Sequence, residues 1–350
     1  MLKVLIVINH APDYREPFFR ELAMHCDLTV IAQPCSTANL TPPNERKGYH
    51  YIEIMPISFK GIVWQRGINK ILNENSFDIY CVDFNPRMIS TFWIFLTNPH
   101  LQSKWVWRGS VYGNSESRLL EKFRGLIFRK ARSTLVYSKE IAARITKEYG
   151  VPSISFNNTE VSTSDIQPIK VYNCKKLETI KIIFVGRYQK RKKLERLISL
   201  AKLNKKVELR LIGPNMDVLT ALLDNDTLSR VQIFGRLVGS ELIPHFEWAD
   251  VVFNPGHAGL LVLNAAKHGR AIVIDSNSKH APEYFAAKES GQIFLPFDDL
   301  GAVNQWVEWV LENPENLTKL ASQHQELALK EYTFEYMASA HMQAFKNVYD

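Results

Sequence analysis

Cysteine is scarce: the 350 residues hold only Cys26, Cys35, Cys81 and Cys174, far apart, with no C-x-x-C pair and no paired His at ligand spacing. That excludes a zinc cage and a disulfide framework, and the four read as reduced thiols of a cytoplasmic protein. Long apolar runs are missing too. The greasiest stretch, 91–96 within STFWIFL, stops far short of the roughly 18 residues that a membrane-spanning helix needs. Glycine and proline, 16 each, are at ordinary levels, and neither an internal repeat nor a low-complexity tract is found, which sets fibrous and solenoid classes aside. The opening MLKVLIVINHAPDYREP lacks the apolar length and small-residue cleavage site of a secretory leader and is expected to form a first strand.

What is present is the composition of a folded chain, 46% hydrophobic and 23% charged, and its length favours two domains over one. The formal charge of +7 hints at an anionic partner. Without aromatic-basic interleaving or a recognised module, it does not argue for nucleic acid. Runs of continuous apolar character alternate with helical patterns: KVLIVI, LTVIA, YIEI, DIYCV, KWVW, TLVYS and SISF, then TIKIIFVG, VELRLIG, VQIFG, DVVFNP, AIVID and QIFLP. This is the pattern of parallel sheets covered by helices on both faces. The expectation is α/β, with two doubly wound Rossmann-like domains, residues 1–165 and 166–332, facing a cleft, and a last helix over 333–350. Residues 159–177, rich in Ser, Thr and Lys, are expected to connect the two domains. Ligands of such sheets bind beyond the strand C-termini.

The strongest stretch is 183–201, IFVGRYQKRKKLERLISLA. A buried strand ends at Gly186 and a helix is expected about six residues later, with Leu194, Leu197, Ile198 and Ala201 forming its buried stripe. The loop between holds Arg187, Lys190, Arg191, Lys192 and Lys193, and cations so crowded are relieved by a multiply charged anion such as a diphosphate. A plain solvated basic loop is the other reading. Residues 250–275 read as strand, turn, helix and strand, where Pro255, Gly256 and Gly259 let backbone approach a ligand and a helix beginning near Gly259 directs its free N–H groups at it.

In order along the chain, F-V-G-R with a Lys five positions after the Arg, LRLIGPN, VQIFGRLVGSELIPHFEWADVVFNPG, the G-L-x-V-L helix, AIVID and HAPEYFAAKESGQIF together resemble the retaining family 4 glycosyltransferases of GT-B architecture. Those enzymes build bacterial polysaccharide and lipopolysaccharide. The likeness covers the C-terminal half and extends more faintly to HAPDYREPFFREL and to the final helix, which in that family crosses back to the first domain. The resemblance implies a hexosyl-type transfer from a nucleotide sugar to a glycan or lipid-linked acceptor, with retention. It implies donor contacts at Gly186, Arg187, Lys192, Arg236, Leu237, Gly256, His257, Gly259, Leu260, Leu261 and Asn264. The catalytic expectation is Arg187 and Lys192 on the leaving diphosphate, with His10 and Asp13 toward the acceptor. Asp13, Tyr14, Arg15, Asp83 and Arg108 are the acceptor candidates, with Asn85, and Trp107 and Tyr112 are aromatic platforms that core packing explains equally well. No cofactor is expected. No D-x-D pair sits where a metal-dependent transferase would want it, so no metal is expected either.

The family usually carries two Glu eight positions apart where this chain has Gly256 and Asn264. His257 substituting, a different donor sugar, or lost activity are the three consequences weighed. The last would make the chain a silent nucleotide-sugar-binding or scaffolding relative. Residues 117–133, SRLLEKFRGLIFRKARS, place Leu119, Leu120, Phe123, Leu126 and Ile127 on one helical face and Arg118, Lys122, Arg129 and Arg132 on a flank. That suits either an anionic membrane, on the inner face of the cytoplasmic membrane, or an ordinary amphipathic helix packed on the sheet.

Overall fold

The structure, a computed structural model, describes residues 1–38, 40–109 and 118–350, and of residues 73 and 118–120 the backbone alone. The chain forms two compact units, Met1–Asn158 with Phe334–Asp350, and Thr159–Thr333.

The first unit holds the strands β1 (Lys3–His10), β2 (Asp27–Gln33), β3 (His50–Glu53), β4 (Pro56–Phe59), β5 (Ile62–Gln65), β6 (Ile79–Asp83), β7 (Trp105–Gly109), β8 (Ser133–Val136) and β9 (Ser153–Ser155). Seven make one sheet in the order β3-β2-β1-β6-β7-β8-β9, with every neighbouring pair parallel. Successive residues of a strand point to opposite faces. Accordingly Val4, Ile6 and Ile8 enter a core with the helices Glu16–Ala23 and Phe334–Tyr349, while Leu5 and Val7 enter a second core with Phe92, Phe95, Ile127 and Phe128. Burial on both faces is why the strands read as unbroken apolar runs, each buried Val or Ile contributing about 2 kcal/mol. Burial also pushes the Cys26 and Cys81 thiols up to about 12, so both are inert. The hairpin of β4 and β5 stands apart as an antiparallel pair, and the sequence reading did not include it. Its turn at Lys60 (φ 48°) and Gly61 (φ 80°) has the two positive φ values of a tight hairpin turn.

The second unit holds β10 (Ile180–Val185), β11 (Val207–Ile212), β12 (Val231–Phe234), β13 (Val251–Asn254), β14 (Ala271–Asp275) and β15 (Ile293–Leu295), all parallel, in the order β12-β11-β10-β13-β14-β15. This is the doubly wound nucleotide-binding order, with its reversal between β10 and β13. The stretch read as an inter-domain connection belongs to this unit from Thr159 onward. Buried Asp250 accepts from Lys170 Nζ (2.7 Å), the Tyr172 hydroxyl (2.7 Å) and the Lys181 N–H (2.8 Å), so 170–172 is strapped to the N-terminal ends of the central strands β10 and β13. Its polar composition suggested a loose linker because the acid that holds it lies some 80 residues away.

Candidate active site

Two loops leave the sheet of the second unit on either side of its strand-order reversal. After β10 the chain makes a short 3-10 turn, Lys190–Lys192, and the helix Glu195–Leu203 begins three residues later than expected. Lys193 explains the delay: it adopts a left-handed backbone (φ 52°), which ends the turn. As expected, Leu194, Leu197, Ile198 and Ala201 are buried.

The five cations of this loop do not share one fate. Lys193 Nζ reaches Ser278 Oγ (3.0 Å) and Asp275 Oδ2 (3.4 Å), and Arg196 Nη1 also contacts that oxygen (3.3 Å). Burial would raise the fully enclosed Asp275 carboxyl. The Ser278 hydroxyl, the Phe297 and Asn277 N–H groups and Lys193 outweigh it and hold it below its ordinary value. Lys193 is thus spent on the fold. Arg191 donates to Gln189 Oε1 (2.9 Å), and Lys190 and Arg187 are exposed. Lys192 turns inward and donates to the His257 carbonyl (2.7 Å). Burial, with the neighbouring Arg191 charge, pulls its ammonium down to about 8.

Arg187 follows Gly186, whose N–H bonds to Ile212 O (2.9 Å), and Tyr188 N–H bonds to Pro214 O (3.1 Å), tying the ends of β10 and β11 together. A Cβ on Gly213 would lie 2.1 Å from Gly186 O, so this approach requires glycine.

The turn after β13 is clamped to the cationic loop. His257 N–H donates to Arg191 O (2.9 Å), and Ala258 N–H to His280 Nδ1 (3.1 Å), while His280 Nε2–H bonds to Asp275 O (2.8 Å). That arrangement fixes one tautomer of His280, which burial holds below the ordinary histidine range. At Gly256 a Cβ would stand 2.4 Å from Arg191 O and 2.7 Å from Lys192 O. Backbone therefore fills the space that the family's first glutamate would use. His257 Nδ1 is engaged with Lys279 O (2.7 Å), leaving Nε2 for a ligand. The helix Leu261–Lys267 then starts; the N–H groups of Val262, Leu263 and Asn264 already bond to Gly259 O and Leu260 O (3.0 Å each), so those of Gly259, Leu260 and Leu261 are the ones left for a ligand. Leu261 is buried and Leu260 half-buried, so toward a ligand both would offer backbone, as Gly259 does. Asn264 donates through Nδ2 to Glu160, which supplies a carboxylate beside the position where the family's second one is missing.

Arg236 is exposed and Leu237 half-buried after β12, and between the ends of β11 and β12 lies a cavity of about 420 Å³, lined by Gly213, Asn215, Met216, Ile233, Phe234 and Gly235 among others. Ser278 and Glu160 were not singled out in the sequence, and Asp275 and His280 stood only within the quoted stretches AIVID and HAPEYFAAKESGQIF, with no role given to either. Asp275, Ser278 and Glu160 meet their partners across 80 or more residues and His280 meets Ala258 across 22, and only their places at strand ends and turns could have pointed to them.

In the first unit, His10 ends β1 and Asp83 ends β6, the two strands that flank its reversal. Asp13, Tyr14 and Arg15 form a 3-10 turn after β1. Asp13 Oδ1 accepts from Tyr14 N–H (2.8 Å), and the Arg15 guanidinium lies 5.4 Å from the Tyr14 ring centroid. Asn85 Nδ2 donates to Asn9 Oδ1 (3.2 Å). Arg108 is 4% exposed and spends its guanidinium on Asp83 Oδ1 (2.7 Å) and His341 Nε2 (3.0 Å), whose Nδ1 bonds to Met337 O (2.7 Å). It ties the sheet to the C-terminal helix, a role its position at a strand end did not announce. Trp107 is fully buried in the core, and Tyr112 lies outside the described residues. The helix Arg118–Phe128 sends Phe123 and Ile127 into the core and leaves Leu126 and Lys122 exposed, and the side chains of Arg118, Leu119 and Leu120 lie outside the described residues.

Comparison with known proteins adds the following. Residues 166–327 match the family Glycosyl transferases group 1. No curated protein sequence matches the chain. Among solved structures, sucrose-phosphate synthase from Thermosynechococcus elongatus is 14% identical with a TM-score of 0.70, covering 99% of this chain and 98% of that one. Anabaena HepE in complex with UDP-glucose is 12% identical, TM-score 0.64, over 99% and 100%. WaaG, a glycosyltransferase involved in lipopolysaccharide biosynthesis, is 12% identical, TM-score 0.62, over 97% and 99%. At such identities the likeness speaks to the fold, which is that of the GT-B glycosyltransferases. Within it, the second unit carries the group 1 glycosyl transferase match almost end to end, and the resemblance drawn from the sequence stands.

Proposed function

We propose that this protein is a glycosyltransferase that moves a hexose-type residue from a nucleotide sugar to a glycan or lipid-linked acceptor in bacterial surface polysaccharide assembly. Transfer proceeds with retention and without a divalent metal, at the inner face of the cytoplasmic membrane. One observation carries the reading: a cationic loop and a helix start lie side by side at the strand-order reversal of the second unit, with Arg187 exposed and Lys192 fixed on the neighbouring turn. Cleaving the anomeric bond develops positive charge on the sugar and negative charge on the diphosphate. Arg187, Lys192 and the N–H groups of Gly259, Leu260 and Leu261 stabilise that negative charge more as it grows. The cavity beside Gly213 and Gly235 is the place for the base, and Asn264 with Glu160 the place for ribose hydroxyls. His10 at the end of β1 and Asp13 in the turn after it serve the acceptor hydroxyl.

The backbone packed around Gly256 supports a second reading, a nucleotide-sugar-binding protein without turnover. A nucleotide-sugar panel read by thermal shift, followed by hydrolysis or transfer assays, separates the two. A donor that raises the melting temperature and turns over supports the enzyme, and a donor that binds without turnover supports the silent relative. Absence of any shift across the panel overturns both.

A further inference from the structure

The hairpin of β4 and β5 is built inside out. Cross-strand partners Ile57 with Trp64 and Phe59 with Ile62 lie on one face of the ribbon, because residues two apart in a strand share a face. That face is open to water: Phe59 is 71% exposed, Ile57 56%, Ile62 48% and Trp64 38%. The outer edge of β5 holds the ribbon to the unit, through the bonds from Val63 N–H to Arg87 O (2.7 Å) and from Gln65 N–H to Ser90 Oγ (3.2 Å), with the Gln65 side chain fully buried. These bonds dock the hairpin on the start of the helix Ile89–Thr97, which exposes its own apolar stripe, Ile89, Trp93 (60% exposed) and Leu96, at positions i, i+4 and i+7. Leaving four large apolar side chains partly in water on one short ribbon forgoes the stabilisation that burial gives, and such clusters mark surfaces that are covered in use.

The charges around this surface select what covers it. No Asp or Glu occurs between Ile54 and Asn73, nor between Phe84 and Ser103. Exposed Lys60 stands at the hairpin tip, 5.5 Å from the Phe59 ring centroid, and exposed Arg66, Lys70 and Arg87 flank it, Lys70 also reaching Glu74 Oε1 at 3.7 Å. A second copy of the chain would bring these cations against their own kind. A bilayer with anionic headgroups accepts the apolar residues among its acyl chains and the Lys and Arg at its charged boundary, while tryptophan suits the interface between them.

We infer that the hairpin and the exposed stripe of the adjacent helix form a monotopic membrane-docking surface for anionic lipid. The inference gives the proposed use of a lipid-linked acceptor its own surface. That surface differs from the helix Arg118–Phe128, whose Phe123 and Ile127 are taken up by the core.

The test is sedimentation of the full chain with vesicles of phosphatidylcholine alone or with one-third phosphatidylglycerol, alongside nucleotide-sugar hydrolysis and thermal melting of each variant. The wild type is expected to pellet with the anionic vesicles only. The double variant Ile57→Ser with Phe59→Ser is expected to lose about tenfold in vesicle affinity, Lys60→Glu less, and Leu126→Ser nothing, with melting and hydrolysis unchanged throughout. Wild type left in the supernatant overturns the inference, and so does a double variant that binds as the wild type does, or binding lost through Leu126→Ser instead. A dimer in light scattering that the double variant abolishes assigns the surface to a second copy and equally overturns it. Vesicle binding is read without a sugar donor, so its failure and a failure of the proposed transfer are told apart.

Discussion

Arg108 and Arg187 stand at equivalent places, each at the C-terminal end of a parallel strand in a doubly wound sheet. Their surroundings make them opposites. Arg108 is enclosed, with a carboxylate at 2.7 Å and an imidazole at 3.0 Å. Arg187 is exposed at the head of a loop with four more cations, only one of which is neutralised by a buried acid. Position at a strand end therefore does not decide function. The balance of charge around the group separates them: a cation matched inside the protein belongs to the fold, and an unmatched cluster is what the proposed function takes as a receptor for an anion from outside.

Removing each arginine should break the comparison in opposite ways. Arg108→Ala leaves Asp83 and His341 facing a vacated interior and is expected to cost about 3–5 kcal/mol in urea unfolding. Nucleotide-sugar binding by the second unit should persist wherever the variant still folds. Arg187→Ala is expected to leave the unfolding midpoint nearly in place and to lower transfer by about 100- to 1,000-fold; an unfolding cost matching that of Arg108→Ala would reverse the assignment. Next in size, Gly256→Ala places a methyl against Arg191 O and Lys192 O and should cost about 1–3 kcal/mol. Gly256→Glu, which restores the family's residue, should lose both stability and donor affinity, and higher turnover in that variant would contradict the packing argument.

Acidity sharpens the contrast further. Lys192 is held down to about 8, so donor affinity should fall by about tenfold per pH unit above that value, and titration calorimetry near pH 8 in two buffers should reveal proton uptake on binding. For stability the sign is opposite. The unfolded chain, with an ordinary lysine, binds more protons between about 8 and 10.5, and this group's contribution to stability rises with pH across that window. The smallest effect is expected of Lys193→Gly. Relief of a left-handed backbone is worth about 1 kcal/mol and is offset by loss of the contacts to Asp275 and Ser278, so the unfolding free energy should move by less than about 1 kcal/mol.

All thirteen strands of the two parallel sheets were legible in the sequence: in the central ones burial on both faces writes itself as a continuous apolar run, and the less buried β3, β9, β12 and β15 showed as short β-rich segments between helical patterns. The hairpin was not, because its Ile57, Phe59, Ile62 and Trp64 alternate with Ser58 and Val63 and sit beside Pro56 and Gly61, which reads as a connection. In the site, Arg187 and Lys192 were recognisable from local crowding of charge. What escaped was each element's distant partner: Asp275 for Lys193, Asp250 for Lys170, Asp83 for Arg108 and Glu160 for Asn264. Polar partners apart in sequence carry no periodicity, and only the folded chain shows which group is already answered.

The helix Phe334–Tyr349 completes one face of the first sheet, burying Phe334, Met337, Ala338, Ala344 and Phe345 against residues near the N-terminus. A chain emerging from the ribosome therefore cannot finish its first unit first. Ile6, Phe18 and Phe19 must wait for residues 334–348 to be translated, while residues 159–333 already hold everything their own core requires. The order of maturation is inverted relative to the order of synthesis, and a nascent chain arrested before Phe334 would present a greasy, half-covered sheet to the chaperones of the cell.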